Sequence, residues 1–384
     1  MIPSRSNKDN VRFGVIGFGV MGQNHAQWLN QGLIQRATLA AICDIDKQKL
    51  ELAKAKYGDI PLFDNHLALM DSQLVDAVII ATPHYLHPEM AIDSMQRGIH
   101  PMIEKPIAVY TKAVHEVYRE AAKHPTLVCA LMYNERSNPV YRKAKEFVDS
   151  GRLGSLRRAT WITTDWWRPQ SYYDSSTWRA SWKGEGGGVL INQAPHQIDL
   201  MQWICGMPEK IWADLKFGSH RRIETEDDVT AHFMYPGGAV GTFIICTHDV
   251  LGTNYLEITF DKGKIIAENS KKLTVKILKE SENDMNLRMS MDQPREIING
   301  ARLDDICDTL EYTQYNGFGE QHRYVLNNFC DAILDNTPLF VDITEGINGL
   351  SISNAMHLSG WLRQEVSLPL DEELFYAELR KHFS

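Results

Sequence analysis

Val11–Gly22 reads VRFGVIGFGVMG, a β-rich run that ends on three glycines and passes straight into a helical pattern. The same alternation continues: ATLAAICD then DKQKLELAKAKYG, VDAVIIAT then a helix to Gly98, HPMIEKP then a helix to about Lys123, and finally LVCALMY. Strands separated by helices of this length form βαβ units, and such units build a parallel sheet covered on both faces. The strand-like runs are near-continuously apolar, as burial from both sides requires. Residues 1–134 are therefore expected to form a doubly wound α/β domain.

The glycines fall at Gly17, Gly19 and Gly22, with Phe18, Val20 and Met21 between them. Such a turn brings main-chain N–H groups and a helix N-terminus to a pyrophosphate. Asp44 ends the next strand, where a carboxylate accepts from both ribose hydroxyls and repels a 2′-phosphate. With Ile45 and Asp46 after it and no arginine adjacent, it favours NAD over NADP. Two more loops end strands of the same sheet, where a doubly wound fold places its ligand. They supply Thr82, Pro83, His84 and His87 from one side and Glu104 and Lys105 from the other.

After about Arg136 the rhythm changes. A helix from Pro139 to Ser150 leads to RRATWITTDWW, then to strand-like runs from IWADLKFG to KLTVKIL, several parted by turns such as Pro236-Gly237-Gly238. This pattern predicts an α+β domain over 135–384 with a large, mostly antiparallel open sheet arranged as a meander. Helices are expected at Gly319–Asn336 and Thr344–Glu365, the C-terminal one packing back on the first domain, and a long excursion or loop over residues 280–315.

With 43% hydrophobic and 23% charged residues the chain is neither disordered nor membrane-spanning. A net charge of −9 argues against nucleic acid and anionic membranes and for a neutral or modestly charged small molecule. The N-terminal MIPSRSNKDN lacks the apolar core of a signal peptide, so a cytoplasmic location is expected. Six scattered cysteines without CxxC pairs suit reduced core thiols, and no metal is expected.

Gly184–Leu200, GEGGGVLINQAPHQIDL, carries Asn192, His196 and Asp199 at i, i+4 and i+7, one face of a helix beginning near Asn192. The glycines before it would let the chain pass close to the cofactor. Trp167, Arg168, Tyr172, Trp178 and Arg179 precede it in a loop dense in aromatics and arginine. Aromatic faces stack on the C–H faces of pyranose rings while Arg and Tyr bond their hydroxyls, so a sugar site suits this composition. Tyr133 and Arg136 could reach the same cleft.

Taken together, GFGVMG, ATPHYLH, EKP, YNERSNPVYRKAKEFVDSGRLG, GGGVLINQAPHQIDL and HRYVLNNFCDAIL resemble the glucose-fructose oxidoreductase and inositol dehydrogenase family (Gfo/Idh/MocA), levoglucosan and inositol dehydrogenases being the nearest comparisons. The resemblance implies a Rossmann domain and a second domain whose open sheet forms the contact of a homodimer or homotetramer. It implies that Lys105 and His196 contact the reacting hydroxyl, with Asn192 where the family usually has Asp. An amide takes no proton, so proton removal is expected to fall to His196, with Lys105 as the alternative, and Asn192 to position a substrate hydroxyl. The expected activity is NAD-dependent oxidation of a secondary ring hydroxyl of a sugar, anhydrosugar, glycoside or cyclitol. A redox-assisted glycoside hydrolase that retains NAD, and a noncatalytic NAD-binding protein, are the alternatives.

Overall fold

The computed structural model describes residues 9–290, 294–300 and 302–383. Its first sheet is parallel throughout: β1 (Val11–Ile16), β2 (Ala37–Cys43), β3 (Leu62–Phe63), β4 (Ala77–Ile80), β5 (His100–Ile103) and β6 (Ala130–Leu131), in the order β3-β2-β1-β4-β5-β6. Strand order reverses between β1 and β4, where a doubly wound sheet opens its crevice. Alternate residues of β4 explain its unbroken apolar run. Val78 and Ile80 enter one apolar cluster and Ala77 and Ile79 the other, all four fully buried.

The second cluster is completed from the far end of the chain. Val325, Leu326, Phe329 and Cys330 of the helix Glu320–Asp335 pack there, with Phe329 6.1 Å from Phe13 of β1. The last helix, Glu372–Lys381, also lies against the first sheet's helices, through Glu372 to His115 and Glu373 to Lys112.

The second sheet contains β7 (Leu156–Thr163), β8 (Lys210–Phe217), β9 (Glu226–Met234), β10 (Val240–Cys246), β11 (Asn254–Phe260), β12 (Gly263–Glu268), β13 (Lys272–Leu278), β14 (Cys307–Thr313) and β15 (Val366–Ser367). Their order is β14-β13-β12-β11-β7-β10-β9-β8-β15. It is mostly antiparallel, as expected, but not a simple meander: β7 is inserted between β10 and β11 and pairs parallel with β10. The helices Pro139–Asp149, Pro195–Cys205 and Gly346–Leu362 cover one face. Trp161 of β7, wholly buried, anchors that core, its indole N–H bonded to Asn254 Oδ1 at 3.1 Å. Truncating such a side chain to alanine costs about 3–5 kcal/mol.

The described residues between 280 and 315 include regular elements where a loop was expected. A helix, Glu282–Arg288, is capped by Ser281, and β14 pairs with β13 at the sheet edge. Of β14, only Cys307 is buried, so the strand lacks the alternation that reveals a half-buried one. Among the described residues no helix is long and apolar enough to cross a membrane.

Candidate active site

The glycine turn sits at the carboxyl end of β1. Gly17 has φ +90°, and a Cβ there would lie 2.5 Å from the carbonyl oxygen of Ala81. At Gly22 a Cβ would stand 1.8 Å from the Gly17 carbonyl, so helix Val20–Asn30 can approach β1 only without one. In front of Gly19 a Cβ would meet nothing, which leaves space for a ligand at the helix N-terminus. Phe18 is fully buried and turns its N–H to Asp44 Oδ2 at 2.7 Å, while Asp44 Oδ1 accepts from the N–H of Asp46 at 2.9 Å. Two oxygens offer about four acceptor positions, so Asp44 keeps room for ribose hydroxyls. Val20 and Ile45, 72% and 85% exposed, form an apolar rim beside it, and Met21 packs inward. These residues fit a bound dinucleotide.

Glu104 and Lys105 follow β5. Glu104 is buried and accepts from His25 Nε2 at 2.7 Å; His25 is itself wholly buried in the glycine-turn helix. Burial alone would raise the Glu104 carboxyl, but the bond and charge of His25 outweigh it and hold the group below its usual range. This clasp between the first helix and the Glu104-Lys105 turn escaped the sequence reading, as a lone histidine in a helix carries no signal. The main chain of Thr82 borders the glycine turn, its nitrogen 3.0 Å from where a Cβ on Gly17 would stand, and His87 is held within the protein. Both its ring nitrogens are engaged, Nδ1 to the Pro106 carbonyl at 2.7 Å and Nε2 to that of Thr82 at 2.8 Å. His84 is likewise turned inward, with Nδ1 3.1 Å from the Glu185 carbonyl and its ring edge-on to Trp178. The two histidines are struts between loops.

The three glycines after Glu185 serve contacts within the protein. A Cβ on Gly186 would meet the Val109 side chain at 2.3 Å and one on Gly188 the Glu226 carbonyl at 2.2 Å. They thus seat this segment against β9 and the Lys105 loop, and the expected approach to the cofactor is not their use. Buried Glu226 then receives the N–H groups of Gly188 and Leu190, both at 2.9 Å. The expected single helix from Asn192 is two: Val189–Asn192 and Pro195–Cys205. Proline has no N–H to continue the ladder and starts the second helix at its first position. The break leaves the Asn192 carbonyl outside a helical ladder, and Lys105 Nζ donates to it at 2.6 Å.

His196 lies one residue into the second helix, 8% exposed, with Nδ1 buried and without a partner. Burial, then the nearby Lys105 charge, holds its pKa well below the ordinary imidazole range. Burial also lowers Lys105, although Glu104 and Glu185 pull it back in part. Tyr133 is buried, packs edge-on to His196 and points its hydroxyl towards Gly349, so it supports the site and does not line it. Asp199 and Arg136, each 1% exposed, form a bidentate pair at 2.7 Å, and Arg136 also bonds Glu345. That pair ties the end of the first sheet to the second helix and leaves neither side chain for a substrate.

Of the aromatic loop, Trp167 is 39% exposed and Arg168, Tyr172, Trp178 and Arg179 are half-buried. Tyr172 is their hub. Its hydroxyl accepts from Arg179 Nη1 at 2.7 Å and from Asn192 Nδ2 and Gln193 Nε2, both at 3.3 Å. The Asn192 amide also donates to Glu185 Oε1. Glu185, 2% exposed, accepts from the Ala180 N–H at 2.6 Å, and burial raises its carboxyl to about 7. A carboxyl thus does stand beside Asn192, supplied seven residues earlier; in the sequence it is one letter among the glycines of GEGGG. Elsewhere, His220, Asp228 and His248 bring one potential ligand atom each within 4.8 Å of one another, from a loop, a strand and a strand end.

A dinucleotide crevice at a strand-order reversal, with a desolvated lysine and a neutral histidine at its mouth, defines an NAD-dependent oxidoreductase acting on CH–OH groups. The chain belongs to the GFO/IDH/MocA family: residues 11–131 match the oxidoreductase family's NAD-binding Rossmann fold and residues 141–266 its C-terminal domain. It is 27% identical to myo-inositol 2-dehydrogenase of Thermotoga maritima over 283 residues, 72% of this chain and 81% of that one. Levoglucosan dehydrogenase of Pseudarthrobacter phenanthrenivorans is 25% identical, covering 67% and 73% respectively. The crystal structure of the WlbA dehydrogenase from Bordetella pertussis, solved with NADH and UDP-GlcNAcA, superposes with a TM-score of 0.77 at 25% identity, covering 94% of this chain and all of that one.

Proposed function

We propose that the protein oxidises a secondary ring hydroxyl of a sugar, anhydrosugar, glycoside or cyclitol. The observation that carries this reading is Lys105, desolvated and bonded to the Asn192 carbonyl beside His196, at the crevice of an NAD-binding sheet. Bound NAD supplies a hydride acceptor. The chain must then remove the hydroxyl proton and stabilise the oxygen as charge develops on it. Burial weakens His196 as a base, because its cationic form is the one disfavoured. The same burial brings the neutral amine of Lys105 within easier reach. The roles expected from sequence are therefore exchanged: Lys105 gives one N–H to Asn192 and takes the hydroxyl proton on its lone pair, while neutral His196 orients that hydroxyl. Asn192, held by Glu185 and Tyr172, positions a neighbouring hydroxyl.

The family's open-sheet contact is supported by Trp212 and Val240, 38% and 41% exposed on β8 and β10, and we read the assembly as a homodimer or homotetramer. Light scattering after gel filtration tests that assembly. The activity is tested by incubating the protein with NAD and a panel of hexoses, anhydrosugars and inositols and following NADH. No turnover with any polyol, in either direction, would overturn the proposal.

A further inference from the structure

The chain is acidic overall, yet its cleft is not. Lys105, Arg168 and Arg179 are close enough that both arginine charges depress the lysine. Their partners are almost all neutral. Lys105 bonds a carbonyl. Arg168 donates to the Trp167 carbonyl at 2.9 Å and lies over the rings of Trp166 and Tyr172, at 5.3 and 5.1 Å. Arg179 donates to the Tyr172 hydroxyl and lies over Tyr172 and Trp178, at 4.4 and 4.8 Å. Its Nε is buried without a partner. Behind them Arg221 is spent on three main-chain carbonyls, those of Arg168, His220 and Thr247.

Arg136 shows how this fold treats a buried guanidinium that has no ligand to meet: it receives two carboxylates, from Asp199 and Glu345. Two carboxyls stand near these cations among the described residues: Glu104 beside Lys105, already bonded to His25, and Glu185, 4.0 Å from Arg179, already bonded to Asn192 and the Ala180 N–H and carrying a full charge only above about neutral pH. A guanidinium such as that of Arg179, its side chain 17% exposed and its Nε buried without a partner, is costly to desolvate without full counter-charge, and an anion bound beside it offsets that cost. Stacking on aromatic faces holds each guanidinium flat and leaves its edge free for the forked bonds that carboxylates and phosphates accept.

We propose that the ring whose hydroxyl is oxidised carries an anionic group, a carboxylate or a phosphate, received between Arg168 and Arg179 beside Tyr172. The proposal rests on the oxidation argued above. Tyr172 sets the distance. Its hydroxyl is one hydrogen bond from the Asn192 amide, and the Asn192 carbonyl is one from Lys105, so the anion lies on or next to the oxidised ring. The cofactor's pyrophosphate does not account for these arginines, since its place is the glycine turn at the end of β1. A neutral hexose would satisfy the donors but leave the charges unmatched. Net charge over the whole chain concealed this, because it says nothing about where a few cations gather.

The test compares matched pairs with the full-length protein and NAD: glucuronate and galacturonate against their parent hexoses, and glucose 6-phosphate against glucose. The inference expects at least one anionic member to exceed its neutral parent about 100-fold in kcat/KM, two forked bonds being worth that much. It also expects this preference to shrink with added salt. The carboxylate and phosphate arms distinguish the two sources. Arg168→Gln and Arg179→Gln should each collapse the ratio towards one, chiefly through KM. Titration calorimetry of the preferred anion into NADH-loaded protein reads the same site without turnover, and a thermal melt excludes a misfolded variant. Turnover of the neutral members equal to or above the anionic ones overturns the inference and leaves the oxidation standing. Turnover of neither overturns this inference, and overturns the oxidation too where the anhydrosugars and inositols are also inert.

Discussion

Lys105 Nζ and the main-chain carbonyl of Asn192 are 2.6 Å apart, a bond between the two sheets' loops that depends on the helix stopping at Asn192 and restarting at Pro195. A main-chain acceptor fixes the amine without neutralising it, so the group can both hold position and exchange a proton. Lys105→Met is expected to lower kcat by about 10²–10⁴, the usual contribution of a positioned acid or base, with little change in NADH affinity by fluorescence titration. Lys105→Arg should not rescue it, as a guanidinium does not deprotonate. In the wild type kcat should rise with pH as the ammonium is lost, and the rise should lie on the acid side of the ordinary lysine range. A Lys105→Met enzyme with wild-type kcat would return the role of base to His196.

Glu185 makes a prediction about stability. Its carboxyl is raised from 4.5 in the unfolded chain to about 7 by burial, the protonated form being the one the fold prefers. Its contribution is therefore fully present below about 4.5 and is lost as pH climbs through about 7, amounting to on the order of 3 kcal/mol. Glu185→Gln keeps a neutral side chain of the same shape. Urea unfolding of both proteins across that window should show the wild type losing ground to the variant as pH rises. A pH-independent difference would mean that Glu185 stays ionised throughout.

How much of this was legible follows from what each element shows in one dimension. The first sheet announced itself because both its faces are buried, which writes apolar runs such as VDAVII at regular intervals, and because Gly17, Gly22 and Asp44 have roles fixed by local geometry. Lys105, Asn192 and His196, read from separate motifs, come together in the fold. The contacts of His84, His87 and Tyr133 were not legible, because whether a ring nitrogen or hydroxyl meets a ligand or a carbonyl depends on loops far away in sequence. The helix break was signalled by Pro195 but masked by the i, i+4, i+7 spacing. Glu185 and the Glu104–His25 clasp were silent, since a carboxylate's neighbour across a fold leaves no local pattern. The edge strand β14 was missed for the converse reason: little of it is buried, so little of it is constrained.

The bidentate pair of Arg136 with Asp199 is expected to matter for folding more than for chemistry. Both are buried, and removing one partner strands the other charge, at a cost of about 3–5 kcal/mol. Arg136→Met should lower the unfolding free energy from urea titration by that amount, and Asp199→Asn by less, since an amide still offers an oxygen to the guanidinium. If Arg136→Met were as stable as the wild type while kcat collapsed, the arginine would belong to the chemistry after all.

Asp44 carries the last prediction, on cofactor choice. Its two oxygens already hold the N–H groups of Phe18 and Asp46, and Lys49 Nζ stands 3.5 Å from Oδ2. Its charge is thus anchored where an adenosine ribose would lie, open to hydroxyl donors and closed to a phosphate. Asp44→Ala removes two hydroxyl acceptors and one repulsion together. It should cut kcat/KM for NAD by about 10²- to 10⁴-fold, two charge-assisted bonds being worth roughly 1.5–3 kcal/mol each, while NADP loses far less. The two cofactors then converge, with Lys49 and the helix N-terminus left to favour the added phosphate. Because Asp44 also holds the glycine turn through Phe18, Asp44→Asn serves as the second variant. It keeps an oxygen for that N–H but no charge, and should narrow the NAD preference without loosening the turn. A strong preference for NAD surviving in both variants would place the discrimination elsewhere on the rim, on residues such as Val20 or Ile45.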